Sequence, residues 1–132
     1  TEIIGLSPAA IAQNIKVGDY LLGVDGTPVG ARTNLDELLE NKVGRRVALT
    51  VAASPDGAGK REAIVKPVST NAEKNLLYRQ WVEENRAYVA RVSSNRLGYV
   101  HLPDMSSNSL SQMYVDLDAE NEGKEGVVVD IR

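Results

Sequence analysis

The stretch SPAAIAQNIKVGDYLLGVDGTPV, residues 7–29, decides the fold of the first half of the chain. Small residues and a proline follow Ser7 and predict a short helical turn. Gly18 and Asp19 end this turn, because glycine takes positive φ without strain. Residues 20–24 then predict a strand, whose apolar side chains on both faces indicate that it is covered from two sides. Asp25 and Gly26 form a favoured pair for a tight hairpin turn, so we expect the strand to turn back there.

Composition limits the classes of partner. The chain has 132 residues, of which 42% are hydrophobic and 25% charged, which is typical of a globular protein. Its 15 basic and 18 acidic residues predict neither a nucleic-acid partner nor an anionic membrane partner. No apolar run reaches the roughly 18 residues that span a bilayer. The chain has no cysteine and no visible export signal, which fits a reducing compartment and predicts a cytoplasmic location.

Residues 32–42 predict a helix that Thr33 or Asn34 can cap. Acidic residues in its first turn suit the helix dipole. One stripe of this helix carries Arg32, Asp36 and Leu39, and the neighbouring stripe carries Leu35, Leu38 and Lys42. Gly44 is expected to end the helix.

Two further strands complete the first predicted domain. Residues 46–53 alternate so that Val47, Leu49 and Val51 face inward, and residues 61–68 return as the last strand. The turn-forming loop SPDGAGK joins them. The composition changes at residues 69–75, STNAEKN, which we interpret as the boundary between two domains, residues 1–69 and residues 70–132.

The second domain is predicted to be a helix followed by a strand–helix–strand unit. The helix runs from the boundary to about Val92, and Trp81 is expected to anchor it onto a sheet because a large ring buries much apolar area. Residues 97–102 and 126–131 predict strands, of which the second, GVVVDI, is typical of a strand buried on both faces of a parallel sheet. The helix between them is predicted to be capped within residues 106–109. Its inward stripe is formed by Leu110, Met113, Tyr114 and Leu117.

Two resemblances follow from these motifs. Residues 7–29 resemble the core of a bacterial-type PDZ domain. The run YRQWVEENRAYVARVSSNRLGYVHLPDM, residues 78–105, and GVVVDIR, residues 126–132, resemble the start of the catalytic domain of tricorn-type serine peptidases, within the C-terminal processing peptidase group. The resemblance implies an α+β PDZ-like domain, a small β-sandwich or barrel with one or two helices, followed by a partial α/β segment in βαβ order.

The PDZ resemblance implies a groove that takes an extended peptide as an added strand. Aligned on the PDZ pattern, the stripe of Arg32, Asp36 and Leu39 faces this groove, where Arg32 and Asp36 would select a polar or charged ligand side chain. The alternative is that both are solvated surface charges. No Gly-Leu-Gly-Phe-like pattern occurs, so either the groove-edge strand comes from residues outside this sequence or peptide binding is degenerate.

The peptidase resemblance places no catalytic residue in this chain. In that family the catalytic histidine precedes the PDZ domain, and the oxyanion glycine, the nucleophilic serine and the supporting acid follow the VVVDIR-like strand. We therefore expect the chain to be inactive by itself, because a serine nucleophile needs a base within hydrogen-bond reach and preorganised oxyanion donors.

His101, the single histidine, allows a different hypothesis. A catalytic set of Ser106, His101 and Asp104 can be written from neighbouring residues, but triad members meet in space rather than in sequence. We favour a structural histidine in or beside the sheet.

The sequence indicates neither a metal site nor a cofactor. A run of carboxylates lacks the glycine pattern of a calcium loop and is interpreted as the solvated end of a helix. These carboxylates belong to Asp116, Asp118, Glu120 and Glu122.

Three hypotheses for function remain. The chain is a fragment of a tricorn-like serine endopeptidase that positions substrate, a non-catalytic peptide-binding or assembly module, or an independent small enzyme that uses His101. The expected partners are peptides or protein chain ends, the remainder of a parent peptidase, and a second copy of the chain. Self-association is expected because an unpaired strand edge recruits partners.

Overall fold

The computed structural model describes residues 2–132, which form two compact units, Thr1–Leu77 and Tyr78–Arg132. The first unit contains helix α1 (Pro8–Ala12), strands β1 (Tyr20–Val24) and β2 (Thr27–Pro28), helix α2 (Leu35–Leu39), strands β3 (Val47–Ala52) and β4 (Arg61–Val65), and the start of helix α3 (Thr70–Val92). Its strands form one antiparallel sheet in the order β2-β1-β3-β4. The mixture of helices and an antiparallel sheet agrees with the predicted mixed α and β composition.

Local chemistry explains how the first unit starts and turns. Ser7 caps α1, since its side chain accepts a hydrogen bond from the Ala10 N–H, and Pro8 occupies the first helical turn, where its missing N–H costs nothing. The predicted turn at Asp25 and Gly26 is confirmed, with φ values of 46° and 80°. The Asp25 carboxylate also accepts the Ala48 N–H at 2.8 Å, which ties the turn to β3.

Three valines form the buried core of the first unit. Val24 of β1, Val47 of β3 and Val65 of β4 are at most 8% exposed and pack together. The inward positions predicted for β3 are confirmed, because Val47 and Val51 are buried and Leu49 packs against the core. The partly buried residues around this core are Ala12, Ile15, Leu21, Val29, Leu38, Leu39 and Leu49.

The helix predicted over residues 32–42 is shorter than its hydrophobic stripes indicated. Hydrogen bonds between Gly30 and Thr33 hold the preceding segment in a turn, and Asn34 is the N-cap, accepting the Asp36 N–H at 3.1 Å. Asn41 and Gly44 adopt positive φ after the helix. Arg32 therefore lies before α2, outside the stripe that sequence reasoning assigned to it.

The second unit contains the rest of α3, strand β5 (Leu97–His101), helix α4 (Ser107–Asn121) and strand β6 (Gly126–Asp130). The predicted strand–helix–strand order with parallel pairing is confirmed, in a register that runs from Leu97 opposite Gly126 to His101 opposite Asp130. The predicted second-domain helix is observed as α3, which begins at Thr70, within the segment 69–75 that we interpreted as the domain boundary. A domain boundary at residue 69 stays a prediction.

Two packing predictions for the second unit are wrong. On α4, Leu110 is 45% and Tyr114 60% exposed, so the predicted inward stripe is only partly inward. On β6, Val128 and Val129 are 39% and 44% exposed, so this strand is not buried on both faces. The reason is that a sheet of two strands offers too little surface to cover every apolar residue of the elements beside it. Within residues 2–132, no helix is long and apolar enough to cross a membrane.

A polar network centred on the buried Tyr99 and Asp130 connects β5 to the end of β6. Tyr99 donates its hydroxyl to the Asp130 carboxylate at 2.8 Å, and Arg132 donates Nε and Nη2 to the same carboxylate at 3.0 and 2.7 Å. Arg132 and then Tyr99 hold the pKa of Asp130 well below its usual range. Burial, followed by the hydrogen bond to Asp130, raises the pKa of Tyr99 to about 12.

We predict that Tyr99→Phe flattens the alkaline stability profile. A phenol with an ordinary pKa of 10.0 that rises to about 12 on folding keeps its proton only in the folded state between these pH values. Its contribution to the free energy of unfolding is therefore complete below pH 10 and is lost as the pH rises through 12. Between these pH values, the free energy of unfolding measured with urea should fall more steeply in the wild type than in Tyr99→Phe. Tyr114→Phe on the exposed face of α4 is the control, and an equal slope in Tyr99→Phe and wild type would contradict the network.

Gly98 should not tolerate a side chain. A Cβ at this position would lie 2.6 Å from the Glu120 carbonyl oxygen and 3.0 Å from the Glu120 Cβ, so α4 would have to move away from β5. We expect Gly98→Ala to lower the free energy of unfolding by about 1–3 kcal/mol, as overpacking does. Gly126→Ala is the matched control, because its Cβ would meet the Leu97 Cδ2 at an ordinary 3.5 Å. Equal losses in both variants, measured by chemical denaturation, would refute this packing.

Candidate functional site

The first unit has an apolar groove with a volume of about 320 Å³. Five separate segments line it: the residues before α1 and its first turn, the end of α2, the middle of β3, the end of β4 with the residues after it, and the first turns of α3. The lining residues are Ile4, Ser7, Pro8, Ala9, Leu39, Leu49, Val65, Pro67, Val68, Glu73 and Leu76.

The core of the unit continues into this groove. Val65 is a core residue, and Leu39 and Leu49 pack against the three-valine core while also lining the groove. Side chains held by a packed core are restricted in their rotamers, so this part of the groove is preformed. A preformed, mostly apolar concavity is the usual form of a binding site.

Two helices begin beside the groove, and at each start a serine accepts hydrogen bonds from backbone N–H groups of the first turn. The buried Ser7 accepts the Ala10 N–H at 3.2 Å and the Ile11 N–H at 2.9 Å through its hydroxyl and carbonyl oxygens. Ser69 likewise accepts the Ala72 N–H with its hydroxyl at 3.3 Å and the Glu73 N–H with its carbonyl at 2.9 Å. Two backbone N–H groups at each helix start, those of Ala10 and Ile11 and those of Ala72 and Glu73, therefore have partners within the unit.

Glu73 is the one charged residue among the described residues that line the groove. It lies in the first turn of α3, one turn before Leu76, so both side chains project from the same side of the helix. None of the salt bridges formed within residues 2–132 involves Glu73. The groove thus combines apolar walls with a carboxylate at its edge.

The structure brings one of the three predicted peptide-binding residues to the groove. Leu39 lines it, whereas Asp36 is exposed in the first turn of α2 and Arg32 is exposed before that helix. A role for Arg32 or Asp36 in ligand selection stays a prediction. Sequence reasoning did not connect Glu73 and Leu76 with a groove, because residues 69–75 were interpreted as the boundary between two domains. The small and apolar Ala72 and Leu76, four residues apart, were the signal for a helix face there.

His101 lies in an aromatic cluster of the second unit. Its Nε2 is 3.0 Å from the Arg132 carbonyl oxygen, which can only accept, so Nε2 carries the proton. Nδ1 then accepts the hydroxyl of Tyr78 at 2.7 Å. The Trp81 and His101 rings pack in a T shape, with an interplanar angle of 86° and centroids 4.8 Å apart. Trp81 therefore contacts β5 as predicted, although it is 38% exposed.

The hydrogen bonds of His101 do not connect it to the serine and aspartate considered beside it. Asp104 accepts the Ser106 N–H at 2.8 Å and the Ser109 hydroxyl, and Ser106 caps α4. The hydrogen bonds of Ser106 and Ser109 lower the pKa of Asp104 to about 2. These contacts organise the start of a helix, while both ring nitrogens of His101 are engaged by Tyr78 and Arg132.

The acidic run of α4 is not simply solvated. Glu120 forms an ion pair with Arg86 of α3, with 2.8 Å between Oε1 and Nε, and Asp116 accepts the Gln112 amide at 2.8 Å. Within the part of the chain that the structure describes, no group of three or more histidines and carboxylates is placed to hold a metal ion.

Comparison with known proteins gives one consistent result. Residues 9–70 match the family model of the tricorn protease PDZ domain. Tricorn protease homolog 1 of Streptomyces coelicolor is 41% identical over 125 residues, which cover 94% of this chain and 11% of that protein. Tricorn protease of Thermoplasma acidophilum is 33% identical over 114 residues, or 86% of this chain and 10% of that protein.

A solved structure extends this likeness to the fold. The crystal structure of the tricorn protease matches 94% of this chain with a TM-score of 0.71 and 30% identity, and the match covers 12% of that protein. The chain therefore spans a small part of the length of the relatives it matches. It belongs to the tricorn protease family, and residues 9–70 are its tricorn-type PDZ region.

Proposed function

We propose that this chain is the peptide-positioning segment of a tricorn-like serine endopeptidase that hydrolyses peptides or unfolded proteins. The observation that carries the proposal is the preformed apolar groove of the first unit, lined by Leu39, Leu49 and Val65 of the PDZ region and by Leu76 of α3. An extended substrate would lay an apolar side chain in this groove while cleavage takes place elsewhere in the parent. A cytoplasmic location remains a prediction from the sequence.

The size of the groove predicts weak binding. A volume of about 320 Å³ accommodates one or two apolar side chains, and burying each contributes about 1.5–3 kcal/mol. Association and ordering of a flexible peptide cost several kcal/mol. The gross gain is therefore at most about 6 kcal/mol, and the costs of association reduce it to a dissociation constant of about 1 mM or weaker. Weak affinity suits a site that positions successive segments of a substrate and releases them.

The proposal assigns no chemistry to His101. A serine nucleophile needs a base with an available ring nitrogen in hydrogen-bond reach. Tyr78 and Arg132 engage the two nitrogens of His101, which supports a structural role for the imidazole. In this proposal the nucleophile, the catalytic histidine and the oxyanion donors belong to parts of the parent outside these 132 residues.

A second candidate is a non-catalytic peptide-binding or assembly module. Exposed apolar side chains on α4 and β6 of the second unit favour it, because such surface is commonly covered by another protein surface. The remainder of the parent or a second copy of the chain would supply that surface. These side chains belong to Leu110, Tyr114, Val115, Val128 and Val129.

We predict that Leu76→Glu weakens peptide binding at least tenfold, because a carboxylate replaces part of the apolar wall of the groove. A leucine-containing peptide with blocked ends would be titrated into labelled protein and followed by NMR chemical shifts. Leu77→Glu is the matched control, since Leu77 is the next residue of α3, is 42% exposed and does not line the groove. Arg32→Ala and Asp36→Ala test the stripe predicted from the sequence. Equal affinities of the Leu76 and Leu77 variants would refute the groove as the site.

We predict that the isolated chain neither cleaves a fluorogenic peptide panel nor reacts with an active-site-directed serine probe. Turnover that is lost in His101→Ala would overturn this assignment. In the parent, Leu76→Glu should slow hydrolysis of long unfolded substrates and spare short fluorogenic peptides, because short peptides do not reach the groove. Peptide affinity without any turnover by the parent would favour the assembly module.

A further inference from the structure

We propose that the groove selects an internal, positively charged segment of its ligand and disfavours a carboxyl terminus. The preferred segment carries an apolar side chain next to a lysine or arginine. This inference rests on the proposed peptide binding, and it adds the chemistry of the ligand. It follows from the position of Glu73 and from the engaged amides beside the groove.

Glu73 provides the charge that a basic residue would meet. Its carboxylate lies at the edge of apolar walls, one helical turn from Leu76, and none of the ion pairs of residues 2–132 includes it. A lysine or arginine side chain has an apolar stem and a charged head. The stem of such a residue would lie along the wall near Leu76 while its head meets Glu73.

Several of the backbone N–H groups that could bind a terminal carboxylate here already have partners. Proteins that capture a carboxyl terminus use backbone N–H groups that point at it. At the start of α1, Pro8 has no N–H and Ser7 accepts the Ala10 N–H. At the start of α3, Ser69 accepts the N–H groups of Ala72 and Glu73. A ligand carboxylate at this edge would also be repelled by Glu73.

Exposure limits the size of the effect. Glu73 is exposed, so its interaction with a ligand cation is screened by water and salt. Exposed ion pairs change equilibrium constants by about two- to fivefold. The carboxylate therefore determines preference among ligands, while the apolar walls supply the affinity.

Three peptides of equal length test the inference by NMR titration at low salt. Two have blocked ends and carry leucine followed by either lysine or glutamate, and the third ends in leucine with a free carboxylate. The lysine peptide should bind about two- to fivefold tighter than the glutamate peptide, and the free carboxylate should bind no better than the latter. Glu73→Gln should remove the difference, and Glu73→Lys should reverse it. Glu84→Lys makes the same charge reversal at a residue of α3 that does not line the groove. It should leave the order of the three affinities unchanged.

The outcomes separate this inference from the proposed function. If no peptide shifts the groove resonances, both fail. In a second outcome, peptides bind and Leu76→Glu abolishes binding, but the three peptides have the same order of affinity for Glu73→Gln as for the wild type. The groove is then still the binding site, and the inference about Glu73 is overturned. Tightest binding of the free carboxylate also overturns it. The inference is also overturned if, in a longer parent chain without added peptide, the groove residues already have the NMR chemical shifts of the peptide-bound state. A segment of the parent would then occupy the groove.

Discussion

The first unit depends on the packing of three valines, Val24, Val47 and Val65, each from a different strand. A unit of this size buries little apolar surface, so the residues around such a core have one side inside and one side available. Leu39 and Leu49 show this, because they pack on the valines and also line the groove. The groove is therefore the outer part of the core, and its shape is maintained by the interactions that hold the sheet together.

The second unit has a different constraint, a carboxylate that is buried among apolar strands. Asp130 is 8% exposed, and a buried charge is tolerated only when it is paired and hydrogen-bonded. Tyr99 and Arg132 satisfy it, and the Tyr99 hydrogen bond connects β5 to the end of β6. Because Tyr99 lies on the same face of the sheet as Asp130, slipping the strands by one residue would turn the Tyr99 side chain to the other face and remove its hydrogen bond to the carboxylate. The network thus specifies the register that apolar valines alone would leave open.

Sequence reasoning succeeded where the chemistry is local. The turn at Asp25 and Gly26, the alternation of β3 and the parallel strand–helix–strand unit follow from neighbouring residues. It erred at the bounds of elements, since α3 begins within residues 69–75 and turn conformations cut the predicted helix 32–42 at both ends. The groove was beyond reach, because five segments separated in sequence line it and only Leu39 was identified. The hydrogen bond between His101 and Tyr78 likewise joins residues 23 positions apart.

In the proposed function, weak binding at the groove is an advantage rather than a defect. Interactions that hold substrate and transition state equally do not accelerate the chemical step, so strong retention at a remote groove would only slow release. A weak site still raises the local concentration of the remaining substrate near a catalytic centre in the same protein, because the second encounter becomes intramolecular. Apolar walls that accept many sequences, with a carboxylate such as Glu73 at the edge, provide this combination. The selectivity of such a protease would then be shared between the groove and the catalytic centre.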